Sequence, residues 1–442
     1  MTLSPPNLRR LLAPVAVFAA VLAVLLAANR GDAPAPSLPD AGAPTDDAVG
    51  DFQRAVRAAP GNGAAYAGLG DAYLSRARET GDPSFYSRAE RAFDAALRRE
   101  PDDLGALVGT GTLAGLRHDF AEQLRIGRRA VAQAPQLARP YTVVADAQIE
   151  LGRYDKAAAT IQRLVDRKPG LASYARASYF RELSGDQAGA VEAMRLAASA
   201  GGTPENVAYV QALLGDLELA RDRVNAARAA YSAALRSLPG YPAGLVGLAR
   251  TDAAGCDLGR AAARLRRAAE RLPLPRTLTL LAEVEAALGN GAAARAAMAA
   301  ARAQVAMLGG EPAGPSRGGA AGSAAAARVL PDAEAVLFEA DHGSPAAAVR
   351  LGRRVWRAAP SVRSADALGW ALTRAGRPAE GYRLARRALR LGSRDPLFRL
   401  HAGVAAREAG LAAPAARHLA VAADGRVALS PRALNLLREA PR

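Results

Sequence analysis

Residues 141–170 read YTVVADAQIELGRYDKAAATIQRLVDRKPG, and this stretch decides the fold. Each half has residues at the three- and four-residue spacing of one helix face. These residues are Tyr141, Val144, Ala145 and Gln148 in the first half, and Ala157, Ile161 and Leu164 in the second. Gly152 suits a left-handed helix end, and Pro169 stops the second helix because proline cannot continue one. The stretch therefore predicts two helices joined by a turn at residues 151–153.

The closing proline recurs at a fixed interval. Pro101, Pro135 and Pro169 are 34 residues apart, and so are Pro239 and Pro273. A period of this size is typical of a repeat architecture, in which each unit contacts only its neighbours. Such an array suits a chain of 442 residues, which is longer than one ordinary globular core. Two segments that resemble each other closely, RIGRRAVAQAP at 125–135 and RLGRRVWRAAP at 350–360, indicate internal duplication.

These units resemble the tetratricopeptide repeat. Two stretches show the pattern well: Tyr66, Leu69, Gly70, Tyr73, Ala89, Phe93, Ala96 and Pro101, and then Leu214, Gly215, Ala227, Tyr231, Ala234 and Pro239. Seven extra residues, 80–86, are expected to lengthen the turn inside the first unit. The resemblance implies an all-α, right-handed superhelical solenoid of helix-turn-helix repeats over about residues 47–425. In such a solenoid, small residues lie where helices cross closely and aromatic residues fill the gaps they leave.

The chain divides by composition and repeat pattern into six predicted segments. They are an N-terminal anchor or signal peptide at 1–30, a Pro/Ala-rich linker at 31–46, an array of a half repeat and about seven repeats at 47–308, a Gly/Pro-rich flexible linker at 309–323, a second block of about three repeats at 324–429, and a C-terminal capping helix at 430–442. Ser430 suits the N-cap of that last helix, and proline suits its first turn.

One N-terminal hydrophobic helix is predicted before the repeats. Residues 11–28 are eighteen uncharged, mostly apolar residues that follow Arg9 and Arg10. The two arginines favour a cytoplasmic N-terminus, with the repeats on the other side of a cell membrane. We therefore predict a single-pass membrane protein with an extracytoplasmic repeat region, and secretion after signal cleavage is the alternative. The only cysteine, Cys256, excludes an intramolecular disulfide and a lipoprotein cysteine beside this helix.

The sequence contains no constellation that predicts catalysis. His118 and His342 each neighbour an aspartate in a predicted turn, which is typical of solvated turn residues. Neither His-Glu-x-x-His nor paired Cys-x-x-Cys occurs, so no zinc site is predicted. The segment GTGTLAG at 109–115 lacks the Lys-Ser/Thr of a phosphate-binding loop. The sequence therefore predicts a non-enzymatic protein without a cofactor or metal.

The resemblance also implies where a partner would bind. In tetratricopeptide repeat proteins the first helix of each repeat lines a concave groove that holds a peptide or a partner helix. The matching positions here are Asp71, Asp146, Glu182 and Asp216, and then Arg250, Arg363, Asp366, Trp370 and Arg374. They predict a groove that is acidic early and basic or aromatic late, and that binds a protein or peptide. The alternative is a solvated helix face whose aspartates only keep the groove wet.

Basic charge gives a second hypothesis. The net charge is +16. Arginine pairs recur at one position of the second helix, at Arg128, Arg129, Arg266, Arg267, Arg353, Arg354, Arg386 and Arg387. They predict a basic stripe that would bind a cell-envelope polymer, lipid headgroups or nucleic acid. Nucleic acid is disfavoured because no aromatic residues interleave with the stripe. The alternative is that the arginines only keep the protein soluble.

Overall fold

The computed structural model describes residues 45–80, 82, 84–309 and 330–439. Within those ranges the regular structure consists of 22 α-helices and one short 3₁₀ turn, and no strand occurs there. The predicted all-α class is therefore confirmed. Residues 11–28 lie outside the described ranges, so the predicted N-terminal helix does too. None of the described helices has both the length and the apolar character that a membrane span requires.

Residues 45–309, here called the first array, contain fifteen helices. They are α1 (Thr45–Ala58), α2 (Gly63–Thr80), α3 (Ser84–Arg99), α4 (Leu104–Leu116), α5 (Phe120–Gln133), α6 (Arg139–Glu150), α7 (Tyr154–Arg167), α8 (Leu171–Leu183), α9 (Gln187–Ser199), α10 (Pro204–Leu219), α11 (Val224–Ser237), α12 (Pro242–Ala254), α13 (Leu258–Arg271), α14 (Pro275–Ala287) and α15 (Gly291–Gly309). After α1, the helices form consecutive pairs, as a helix-turn-helix repeat requires.

Residues 330–439, here called the second array, contain seven helices. They are α16 (Ala333–His342), α17 (Pro345–Ala358), α18 (Val362–Arg374), α19 (Pro378–Ala388), α20 (Pro396–Glu408), α21 (Ala412–Asp424) and α22 (Pro431–Arg438). Ser430 caps α22, because its hydroxyl accepts a hydrogen bond from the Ala433 amide. Of the predicted linker at 309–323, only Gly309 is described, and it is the last residue of α15.

Tight turns join the two helices of a repeat. Gly152, predicted to adopt a left-handed conformation, has a φ of +66°. This conformation lets the Arg153 amide reach back to the Gln148 carbonyl at 2.8 Å. In the first repeat, α2 ends at Thr80 and α3 begins at Ser84. The prediction of a longer turn over 80–86 was wrong: Thr80 belongs to α2, which is 18 residues long, and residues 84–86 belong to α3, which is 16 residues long.

Aromatic side chains of second helices fill spaces beside glycines. Phe93 on α3 is fully buried between Gly70 of α2 and Gly109 of α4, and a Cβ at either glycine would overlap its ring. Tyr231 on α11 lies in the same way between Gly215 and Gly247. The helices can therefore approach closely because the glycines lack a side chain, and each ring fills the space that this leaves.

The second array has its own hydrophobic core and also packs against the first array. Its core runs from Val336 to Leu437. Contacts with the first array involve turns and first helices. The Val362 amide donates to the Tyr154 hydroxyl at 2.7 Å, and the Arg432 amide donates to Glu283 at 3.1 Å. Val362 also joins a buried cluster with residues of α6 and α7. The two arrays therefore bury both apolar and polar groups between them.

Candidate functional site

The first helices of the first array and the edge of the second array approach each other along a row of polar side chains. We call this row the cleft. Its residues are Arg176, Tyr209, Tyr241, Arg276, Glu334 and Arg363. Arg276 and Glu334 form an ion pair at 3.6 Å that links α14 to α16. The cleft therefore includes residues of both arrays.

Tyr209 is the exposed aromatic residue of the cleft. The residue is 50% exposed, yet desolvation raises the pKa of its phenol, and the charges of Arg176, Asp146 and Arg276 act on it. About half of the Tyr209 side chain is therefore open to water, and charged groups of both signs lie near it.

The predicted acidic residues of the groove are paired with arginines. Asp146 accepts two hydrogen bonds from Arg176, at 2.8 and 2.7 Å. Two further pairs repeat the arrangement: Asp71 with Arg139 at 2.6 Å, and Asp216 with Arg250 at 2.7 Å. Arg176 and Arg250 each lie on the first helix of the repeat that follows their aspartate, whereas Arg139 on α6 lies two repeats after Asp71 on α2. The early part of the groove is therefore largely neutralised, in contrast to the predicted acidic surface.

Two predicted groove residues are buried, so their assignment to an open surface was wrong. Asp366 and Trp370 are each 1% exposed. His401 on α20 stacks on the Trp370 ring, with centroids 4.3 Å apart, and its Nδ1 lies 2.9 Å from Asp366 Oδ2. The physical reason is that α20 packs over the face of α18 that was assigned to the groove. Arg374 remains exposed, with its guanidinium 5.7 Å from the Trp370 ring centroid.

The remaining three predicted groove residues lie where the arrays meet. Arg250 donates to Asp216 and also to the Ala428 carbonyl of the second array, at 2.8 Å. Arg363 of the second array donates to the Tyr179 hydroxyl of the first array at 3.3 Å. Glu182 is partly buried and lies near Arg363, Asp216 and Asp395. Arg250 and Arg363 therefore help to hold the arrays together.

Glu182 makes this interface sensitive to pH. The pKa of Glu182 is raised to about 7, first by burial and then by the negative charge of Asp395; Arg363 lowers it and Asp216 adds to the increase. In the unfolded chain the carboxyl group titrates at its ordinary value of 4.5. The folded state therefore holds a proton that the unfolded chain releases between these values. Stability from this group is present below pH 4.5 and is lost as the pH rises to about 7.

Glu182→Gln is expected to stabilise the chain at pH 8 by roughly 2 kcal/mol, after allowance for solvent screening, because no charge then forms beside Asp395. At pH 4.5 the variant and the wild type should unfold at nearly the same urea concentration, since Glu182 is then neutral in the folded state. Urea unfolding followed by circular dichroism at both values measures this. Glu192→Gln on the exposed face of α9 is the matched control. An equal gain at both pH values would contradict the assignment.

The eight arginines of the predicted stripe are all exposed, but they do not share one role. Arg129 donates to the Pro101 carbonyl at 2.7 Å, and Arg266 pairs with Glu285 at 2.5 Å. Both therefore tie a second helix to another part of the array. Arg353, Arg354, Arg386 and Arg387 instead lie together on α17 and α19. The Arg387 guanidinium of α19 lies 6.0 Å from the centroid of the Trp356 ring of α17. This contact joins the two helices.

His118 and His342, which were predicted to be solvated turn residues, are both partly buried, and His342 is the last residue of α16. His118, at a φ of +60°, has its Nδ1 2.7 Å from the Leu330 carbonyl. Because a carbonyl only accepts, this ring nitrogen carries the proton. His118 therefore contacts the second array. Within the described ranges, no three His, Cys, Asp or Glu side chains come together in a way that could hold a metal ion.

A family model described as tetratricopeptide repeat matches residues 45–82, 82–138 and 145–207, which together are less than half of the chain. The first array therefore contains tetratricopeptide repeats, whose proteins are generally non-enzymatic scaffolds. No curated protein matches the sequence.

Three solved structures resemble the chain. The type IV pilus biogenesis factor PilW is 20% identical over 45% of this chain and 92% of its own, with a TM-score of 0.39. Human IFIT1, as a dimer with m7Gppp-AAAA, is 15% identical over 75% of this chain and 72% of its own, with a TM-score of 0.46. The APC/C hetero-tetramer Cut9–Hcn1 is 11% identical over 90% of this chain and 93% of its own, with a TM-score of 0.35. At these scores the likeness carries no argument about partners.

Proposed function

We propose, from the tetratricopeptide repeats within residues 45–207, that this protein is a non-enzymatic scaffold that binds a protein partner in the cleft. The observation that carries the proposal is Tyr209. Among the described residues it is the most exposed aromatic side chain, at 50%, and it lies on the first helix α10 near the charges of Arg176 and Arg276. The partner would be an extended segment that fits between the two arrays.

The residue types in the cleft support protein recognition. Tyrosine and arginine are enriched among residues that dominate binding energy, because both present large, semi-rigid contact surfaces. The Arg276–Glu334 pair is held by one 3.6 Å contact, so a partner's charged group can compete for it at low cost. Asp146 and Arg176 are tied to each other by two hydrogen bonds and would instead form a fixed wall.

A photo-crosslinking side chain placed at Tyr209 is expected to capture a recurrent protein from the cells that make this chain. Arg276→Glu in the same molecule should reduce that product at least tenfold, because it replaces a cleft cation with an anion. The matched control is the same crosslinker at Leu196, an exposed residue on the second helix α9. Equal products from both positions, or a product unaffected by Arg276→Glu, would contradict binding in the cleft.

We further propose that residues 11–28 tether the protein to a cell membrane, with the repeats outside the cytoplasm. The support is the uncharged apolar run and the preceding Arg9 and Arg10. Full-length protein should then stay with membranes after an alkaline carbonate wash, and protein lacking residues 1–30 should not. Recovery of a shortened chain from the medium would instead favour secretion after cleavage.

A second candidate function is the binding of anionic polymers through arginine. One observation favours it: four of the eight stripe arginines lie together on α17 and α19. Arg129 and Arg266 of the first array are already used in internal contacts. We therefore restrict this second candidate to the second array.

A further inference from the structure

The second array has a dense cluster of arginines on two of its second helices. Helix α17 has arginines at 350, 353, 354 and 357, the spacing of a single helix face, and has no acidic residue. Helix α19 has arginines at 383, 386 and 387 and one acid, Glu380. All seven arginines are exposed. We call them the basic face; with Glu380, the two helices have a net charge of +6.

The two helices present their arginines as one surface. Arg387 of α19 lies over Trp356 of α17, at 6.0 Å from the ring centroid. Glu380 of α19 has a lowered pKa, chiefly because Arg377 donates hydrogen bonds to it, and the charge of Arg353 on α17 contributes. The single acid is therefore held by Arg377 and Arg383 at the edge of the cluster. Glu380 is the one acidic residue of these two helices.

We infer that the basic face binds the anionic headgroups of a phospholipid surface. This inference rests on the second candidate function and is independent of the cleft. Four arginines of one face of α17 span about 10 Å along the helix axis, and α19 adds a second row beside them. The positive charge is thus spread in two dimensions, which suits a sheet of headgroups better than a single strand.

The aromatic residue of this face argues against single-stranded nucleic acid. Binding of single strands relies on exposed rings on which bases stack. Trp356 is only partly exposed, packs against the core of the second array, and has Arg387 over its ring. It offers no open stacking platform. Attraction to an anionic membrane needs no such platform, because each basic residue near the surface contributes through its charge.

Trp356 provides a direct test with the full-length chain. The chain has two tryptophans, and Trp370 is buried in the core, so it serves as an unquenched reference. The probe is a phosphatidylglycerol–phosphatidylcholine vesicle with a spin label on some headgroups. Trp356 fluorescence should be quenched on these vesicles and not on phosphatidylcholine vesicles with the same label. Quenching should disappear near 1 M salt, where the Debye length is about 3 Å.

Removing two charges of the basic face provides the matched comparison. The double variant Arg353→Gln, Arg386→Gln should lower the docking constant obtained from the quenching about 30-fold. Arg128→Gln, Arg267→Gln removes two exposed arginines from second helices of the first array and should change it less than threefold. Any binding of residues 11–28 to the vesicles is the same in all variants, because none of the substitutions lies in that segment.

The outcomes separate the inference from the candidate function on which it rests. If quenching is absent, or is equal on neutral vesicles, the lipid inference is overturned. A fluorescently labelled single-stranded oligonucleotide and inorganic polyphosphate are then tested by anisotropy and by competition. Binding of either that is lost in the double variant would retain a polyanion site while rejecting the lipid. Binding of neither would reject both.

Discussion

Trp370→Ala is expected to destabilise the second array by about 3–5 kcal/mol, the usual cost of removing a large buried aromatic ring. Trp370 is 1% exposed and packs in the main hydrophobic cluster of that array. Its ring stacks on His401, and its indole N–H donates to Asp341 at 3.1 Å. The substitution would therefore leave a cavity. It would also uncover the imidazole of His401 and remove a hydrogen-bond donor from the carboxylate of Asp341.

Local hydrogen exchange in α18 and α20, together with thermal unfolding of the full-length chain, measures this effect. Local exchange is needed because a repeat array does not unfold in a single two-state step. Arg374→Ala is the control, since this exposed arginine contacts the same ring at 5.7 Å, and it should cost less than about 1 kcal/mol. If Trp370→Ala left protection unchanged and only weakened partner binding, the ring would belong to a binding surface after all.

The helices could be predicted from the sequence because the rules that set them are local. The run at 141–170 contains its own helix faces, turn glycine and stop proline, and the structure has α6 and α7 there. The glycine–aromatic packing was also visible, since Gly70 and Phe93 belong to one repeat unit. The turn of the first repeat was predicted wrongly because its extra residues were all assigned to the turn. A helix can absorb them by growing longer, as α2 and α3 do.

The pairing of groove aspartates with arginines could have been predicted from the sequence, but it was missed. Asp146 and Arg176 are separated by 30 residues, and Asp216 and Arg250 by 34. An acid followed by an arginine about one repeat later places the two on neighbouring first helices. A periodic acid can therefore be tested for a partner one period onward before it is assigned to a binding surface.

The contacts between the two arrays could not be predicted from any spacing in the sequence. The Tyr154 hydroxyl and the Val362 amide are separated by 208 positions, and His118 and Leu330 by 212. A repeat consensus describes how a unit packs on its neighbour. It gives no information about contacts between units that are several repeats apart. The same limit explains Asp366, whose burial depends on His401 of the following repeat rather than on its own helix face.

Tyr231→Ala is expected to cost about 3–5 kcal/mol, because two glycines form the site and neither has a side chain that could fill the cavity. The ring is fully buried between Gly215 and Gly247. Its hydroxyl donates to Asp216 at 2.8 Å, and the same carboxylate accepts from Arg250. Arg250 in turn donates to the Ala428 carbonyl of the second array. The tyrosine therefore supports both the fit of two repeats and one contact between the arrays.

Tyr231→Phe separates these two contributions. It keeps the ring between the glycines and removes the hydroxyl, so it should cost only about 1 kcal/mol, the typical value of one hydrogen bond. Hydrogen exchange in α11 and α12 reports the fit of the repeats, and exchange in residues 426–438 reports the contact with the second array. Tyr231→Ala should increase exchange in both regions, and Tyr231→Phe mainly in the second. If both variants were equally mild, relaxation of α11 and α12 would be filling the space, and close packing against glycine would not be what holds these repeats together.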